Sequence, residues 1–145
     1  MKKIFAILAI ALSFALISCD DDDYNPMDLN TAITDFISAN YAGSRIIDGE
    51  KEHGGVTKVD ILHNNVKKEV YFNRNNEWLF TEWDVRRADV PQSVLNAIAS
   101  TDYALYIIDD VDFIQSPNGE YYHVELERGK HKVWLSITAT GEILP

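Results

Sequence analysis

The sequence predicts an α+β fold made of two tandem helix-plus-four-strand antiparallel repeats, with each helix packed on one face of its sheet. Three observations carry this prediction. Helix-like openings occur twice, at "LNTAITDFISANY" and "VPQSVLNAIASTDY". Each is followed by a strand-like segment containing an Ile-Ile pair. Each then gives way to two alternating apolar segments joined by a short turn. The same elements in the same order, twice in one chain, are the mark of an internal repeat. At 145 residues the chain has room for one domain or two very small ones. Its 46% hydrophobic content is that of a folded protein rather than a disordered one.

Taking the elements in order, Ile33, Phe36 and Ile37 recur at the three-and-four spacing of an amphipathic helix. Asp28 or Asn30 can cap that helix, and it closes on Tyr41. In the second helix Leu95, Ile98 and Ala99 are the matching positions, and Tyr103 closes it. Pro91 suits its first turn, with Asp89 just upstream. The strands "SRIIDGE" (44–50) and "LYIIDDVDF" (105–113) come next. In the first hairpin, "KVDILHNNVKKEVYF", a turn at Asn64-Asn65 pairs Val59 with Val70. In the second, "HVELERGKHKVWL", a turn at Arg128-Gly129 pairs Val124 with Val133. Asn and Gly tolerate the positive φ that two-residue hairpin turns demand. The hairpins differ in length by one cross-strand pair, which keeps every side chain on its own face. Short strands close the units, "NEWLF" (76–80) and "GEIL" (141–144), with Glu77 matching Glu142. "TEWDVRRADVP" (81–91) is the connection, so repeat one spans 27–84 and repeat two 88–145.

Alternation assigns the faces. Val59, Ile61, Val70 and Phe72, and in the second unit Val124, Leu126, Val133 and Leu135, belong under the helices as core. The opposite face of the second hairpin carries His123, Glu125, Glu127, Lys130, Lys132 and Trp134. There Glu125 is expected opposite Lys132, and Glu127 opposite Lys130. The first hairpin sets Asp60 opposite Glu69, a like-charge pair that something must relieve. Tyr71 and Trp134 fall at equivalent positions on the open face, with Trp78 and Trp83 close by in sequence. Exposed aromatics of this kind are common in interface cores. Tyr71, Trp134, Trp78, Trp83 and His123 are therefore the candidate partner-binding residues.

Ahead of the folded region, residues 1–18 place Lys2 and Lys3 before an apolar run from Ile4 to Ile17 and then Ser18. That is the pattern of a secretory signal peptide, and the run is short for a bilayer span of about 20 residues. The single cysteine, Cys19, comes directly after. One cysteine excludes an internal disulfide and a Cys-rich metal site. Asp20, Asp21, Asp22 and Asp23 are next, and four adjacent carboxylates repel one another, so 19–26 reads as a solvated tether. The formal net charge of −10 argues against nucleic acid as a partner.

Three resemblances refine this reading. "LISC" (16–19) resembles the bacterial lipobox, which implies lipidation at Cys19 and membrane attachment through an N-terminal lipid. Acidic residues just behind such a cysteine resemble the surface-export signal of Bacteroidetes lipoproteins, which implies the outer membrane or cell surface. The region 27–145 resembles the PepSY-like family of Bacteroidetes lipoproteins, described as similar to the β-lactamase-inhibitor protein fold. The tandem units, "VPQSVLNAI", "YYHVEL" and the "GEIL" ending carry that resemblance. It implies an exported binding module that recognises or inhibits a protein through a sheet face. It assigns no inhibitory residue.

Catalytic chemistry is not visible in the sequence. His53, His63, His123 and His131 do not converge under this register, and no pair has the i, i+4 spacing of a helical zinc site. No serine sits in a nucleophile elbow and no Gly-rich loop could cradle phosphate. The expectation is a non-enzyme without metal or cofactor. The alternative to protein recognition is an envelope lipoprotein that captures a glycan or another small molecule on its aromatic face.

Overall fold

The computed structural model describes residues 28–145. The leader, Cys19 and the aspartates Asp20–Asp23 lie outside the described residues. Helix α1 (Thr31–Asn40) leads into strands β1 (Arg45–Lys51), β2 (Thr57–His63), β3 (Val66–Phe72) and β4 (Trp78–Asp84). A short 3-10 turn (Arg87–Asp89) and helix α2 (Gln92–Ala99) precede β5 (Ile107–Ser116), β6 (Gly119–Arg128) and β7 (His131–Ile137). All seven strands form one antiparallel sheet in chain order, β1 to β7. The two units are thus joined edge to edge by the pairing of β4 with β5.

The two halves of the chain resemble each other more in their strands than in their ends. β1 and β5 carry the same bulge, between Ile46 and Asp48 and between Ile108 and Asp110. In both, the aspartate after the bulge accepts a backbone N–H from the next residue, Gly49 or Val111. The fourth strand of the second unit is not formed as expected: "GEIL" contributes an isolated bridge, Ile143 to Ile137. β4 fills the corresponding place in the first unit, where Trp78 pairs with Phe72. The tight turns before them match too: Asn73 N–H donates to the Glu77 carbonyl, and Thr138 N–H to that of Glu142. Beyond those turns the two units diverge. β4 continues through Thr81–Asp84 and meets β5, whereas "GEIL" ends at the edge with no strand beyond it to pair with among the described residues. Residues 81–84, expected in the connection, are therefore sheet.

Capping agrees with the sequence. The Asn30 side chain accepts the Ala32 N–H at 2.9 Å, and Pro91 stands at the N-cap of α2. α1 buries Ile33 and Ile37. α2 buries Val94, Ala97 and Ile98; of the expected stripe, Ile98 is buried, Leu95 is half-buried and Ala99 is exposed, because the buried face is centred one position earlier on Val94 and Ala97. One core cluster joins α1 to Val59, Ile61, Val70 and Phe72; a second joins α2 to Val111, Val124, Leu126 and Ile137. The cross-strand row Val59–Val70–Thr81–Gln115 shows that both clusters lie on one side of the sheet. Tyr41 ties them together. Its hydroxyl lies 2.7 Å from Thr81 Oγ1 and 3.0 Å from Gln115 Oε1, across the seam between units.

The first hairpin turns at Asn64 and Asn65, both with positive φ, and pairs Val59 with Val70 as predicted. The second turns one residue later than predicted, at Gly129-Lys130, and pairs Val124 with Leu135 and Leu126 with Val133. Gly129, at φ 65°, takes the first turn position, where a type II′ turn requires positive φ. Moving both strands by one residue leaves every side chain on its expected face but changes its opposite number. Glu125 faces Trp134 and Glu127 faces Lys132.

Candidate functional site

Both helices cover one side of the sheet, and among the described residues no helix covers the other. That open face is strongly acidic. One row runs Asp48–Asp60–Glu69–Glu82 across β1 to β4. The next holds Asp84 opposite Asp112, with His123 and Ser136 beyond. A third sets Asp110 against Glu125 and then Trp134. The like-charge pair expected at Asp60 and Glu69 is real, and Lys67 relieves it. Its Nζ lies 2.7 Å from Asp60 Oδ2 and 3.7 Å from a Glu69 oxygen. Lys58 pairs with Glu50, and Lys132 with Glu125 and, at 3.4 Å, with Asp109. Asp60 Oδ1 is buried without a hydrogen-bond partner.

Tyr71 is embedded in this charge. Its hydroxyl lies 2.8 Å from Glu69 Oε2 and 2.9 Å from Glu82 Oε1, one proton between two carboxylates. Burial and those two acceptors raise its pKa and hold it protonated. Its ring stacks on Phe80 at 4.3 Å. Beside it, carboxylate oxygens of Asp84, Asp110 and Asp112 lie within 4.8 Å of one another. Burial, then the charges of Asp110, Glu82 and Asp84, and a hydrogen bond with Asp84, push the Asp112 carboxyl up to about 7. Lys67, Glu69, Glu82 and Trp83 complete the lining of this depression, about 280 Å³ in volume. An adjoining recess of about 390 Å³ is more apolar, lined by Leu79, Phe80, Ile114 and Tyr121 with His123 at its side. The three aspartates have the spacing that one positive group, a metal ion or a side-chain cation, would neutralise.

The candidate residues divide between the two faces. Trp134 is on the open face and 54% exposed. His123 is there too, half-buried, 3.3 Å from Ser136 Oγ. Tyr71 shares that face but is not equivalent to Trp134. In the observed register Trp134 corresponds to Glu69, each facing the residue after a matched core valine, and the two aromatics stand on β3 and β7. Trp78 and Trp83 lie on the helix side. Trp78 packs on the first core, stacks on Phe36 at 5.2 Å and donates to Thr81 Oγ1. Trp83 pairs with Phe113 and carries the Lys68 ammonium 3.4 Å from its ring centre, a cation–π contact. Desolvation lowers the Lys68 pKa.

Sequence reasoning missed Asp84, Asp110 and Asp112 because the first comes from one unit and the others from the next. Only the β4–β5 pairing brings them together. The Asp60–Glu69 conflict was the one signal in the sequence that the face is unusual.

The fold is α+β, with two helices on one side of a seven-stranded antiparallel sheet. The chain belongs to the PepSY-like family, described as "Putative beta-lactamase-inhibitor-like, PepSY-like", which matches residues 57–144. Among solved structures it is similar to a BLIP-like protein from Bacteroides fragilis. That similarity is at 29% identity and a TM-score of 0.74, covering 87% of this chain and 89% of that one. A DUF2874 family protein from Bacteroides uniformis is 21% identical with a TM-score of 0.68, over 81% and 87% of the two chains. A protein from Bacteroides eggerthii described as one of the "putative periplasmic proteins" is 20% identical with a TM-score of 0.60, over 80% and 86%. A search of curated proteins found no match. Among the described residues no helix is long and apolar enough to cross a membrane.

Proposed function

We propose that the protein is an exported lipoprotein, anchored through Cys19 at the outer membrane or cell surface, that recognises a protein through the open face of its sheet. Restraint of an enzyme or protease is the form of recognition that the family description and the BLIP-like relative favour. The single observation that carries the reading is the uncovered face itself. Seven strands expose one continuous surface to solvent, with Trp134 standing out from it and apolar and charged recesses beside it. Exposed aromatics amid hydrogen-bonding groups suit a protein interface. Small-molecule or glycan capture is less well supported, since Trp78 packs on the first core and the Lys68 ammonium covers the ring of Trp83.

The test is cross-linking in the envelope of the source cells, using the full chain as bait and Trp134→Ala as control. A protein retained by the wild type and lost with the variant, at equal melting temperature, is the expected result. Identical capture by both would sink the assignment of this face.

A further inference from the structure

A solvent-facing sheet normally sets unlike charges on opposite positions, because like charges there are destabilising. This face breaks that rule in three rows: Asp48–Asp60–Glu69–Glu82, Asp84–Asp112 and Asp110–Glu125. The pattern spans β1 to β6, so it belongs to the face and not to one corner of it. Local rules broken at a cost in stability are expected at functional surfaces. The lysines of the face make their ion pairs with Glu50, Glu52, Asp60, Glu69, Asp109 and Glu125; Lys67 stands on the rim of the depression, and among the described residues no lysine pairs with Asp84, Asp110 or Asp112. Apolar contact surface is present independently. The recess at Leu79, Phe80, Ile114 and Tyr121 adjoins the carboxylates through Glu82, and Trp134 stands next to Glu125.

Resting on the reading that this face is the recognition surface, we propose that its partner presents a cationic segment flanked by apolar residues. A lysine or arginine of that segment is seated among Asp84, Asp110 and Asp112, and an apolar side chain enters the recess between Phe80 and Tyr121. The ammonium or guanidinium supplies charge-assisted hydrogen bonds to carboxylates that otherwise repel one another. The one-signed face steers such a segment in and turns anionic surfaces away.

Calorimetric titration of the purified chain tests this with three probes: a strand-length peptide of alternating lysine and leucine, the same peptide with glutamate for lysine, and calcium chloride alone. Two variants accompany it, each losing three carboxyl groups, and the titrations are run at pH 8, above the Asp112 value. Asp84→Asn with Asp110→Asn and Asp112→Asn alters the face. Asp35→Asn with Asp102→Asn and Glu142→Gln alters exposed positions away from it. The expected result is binding of the lysine peptide only, weakened at least tenfold by the first variant and less than twofold by the second. Equal losses in both variants would reduce the attraction to net charge and overturn the proposal. So would equal binding of the glutamate peptide, or tight calcium binding with no peptide bound. If the lysine peptide fails while Trp134-dependent cross-linking persists, partner recognition stands and only the cationic chemistry falls.

Discussion

Replacing Asp112 with asparagine should stabilise the protein at neutral and alkaline pH and leave it unchanged in acid. Asp112 lies opposite Asp84 and close to Asp110, and its carboxyl is raised to about 7 by burial and by the charges of Asp110, Glu82 and Asp84. In the unfolded chain a carboxyl titrates near 3.9. Between those values the native state holds a proton that the unfolded state releases, so stability falls as pH rises from about 4 to about 7 and is level beyond. At about 1.4 kcal/mol per pH unit the full interval would amount to about 4 kcal/mol. The side chain is only half-buried, however, and solvent screening at such a site reduces this to about 1–2 kcal/mol. Asparagine keeps the shape, removes the charge and offers N–H donors to Asp84 and Asp110. Thermal melts of wild type and Asp112→Asn at pH 4, 5.5, 7 and 8 measure the effect. The expected gain at pH 8 is about 4–8 °C for a domain of this size, shrinking to nothing near pH 4. A gap independent of pH, or a wild type more stable than the variant at pH 8, would refute the account of the cluster.

Four other substitutions probe the frame around that face. Thr81→Val keeps the shape of a fully buried residue but removes the acceptor of Trp78 Nε1 at 3.0 Å and a partner of the Tyr41 hydroxyl. It should cost about 1–3 kcal/mol, read as a lower denaturant midpoint at unchanged slope. Gly141→Ala places a methyl 2.9 Å from the Ser93 carbonyl oxygen at φ +90°, and should cost about 1–3 kcal/mol, with faster amide exchange at Thr138 and Leu144. Tyr71→Ala removes a ring stacked on Phe80 and a hydroxyl held between two glutamates, and should lower stability by about 2–3 kcal/mol. Trp134→Ala, at an exposed position, should change it by less than about 0.5 kcal/mol in the same denaturation experiment.

Local patterning made much of the fold legible. The helices, the Asn64-Asn65 turn and the core faces of both hairpins come from apolar spacing and turn chemistry, and the structure has them. Errors arose where two placements satisfy the same pattern. A turn at Arg128-Gly129 and one at Gly129-Lys130 keep identical faces, so alternation could not choose, and the requirement for glycine at one turn position decided it. Trp83 was misplaced for a different reason. "TEWD" carries two charged residues and looks like a linker, yet it is buried on one side by Thr81 and paired on both edges. The candidate site was legible only in part: Trp134 from its alternation, and the charge conflict at Asp60 and Glu69 from the hairpin register.

The acidic depression is a property of the pair of units and of neither alone. Asp84 ends the last strand of the first unit, and Asp110 and Asp112 lie on the first strand of the second. That strand bulges at Ile108/Asp110, as β1 bulges at Ile46/Asp48, but among the described residues β1 is an edge strand. The first bulge therefore delivers Asp48 to the margin of the sheet, while its counterpart delivers Asp110 to the centre, against Asp84. The same seam is locked from behind by Tyr41, which reaches from the end of α1 to Thr81 on β4 and Gln115 on β5. With Tyr41 and the β4–β5 pairing holding the seam, the repulsion is eased by the proton on Asp112 and not by separation of the units, and above about pH 7 that proton is lost. A positive group arriving from outside can relieve the repulsion, and for that reason the seam, rather than either hairpin, is where recognition is expected to centre.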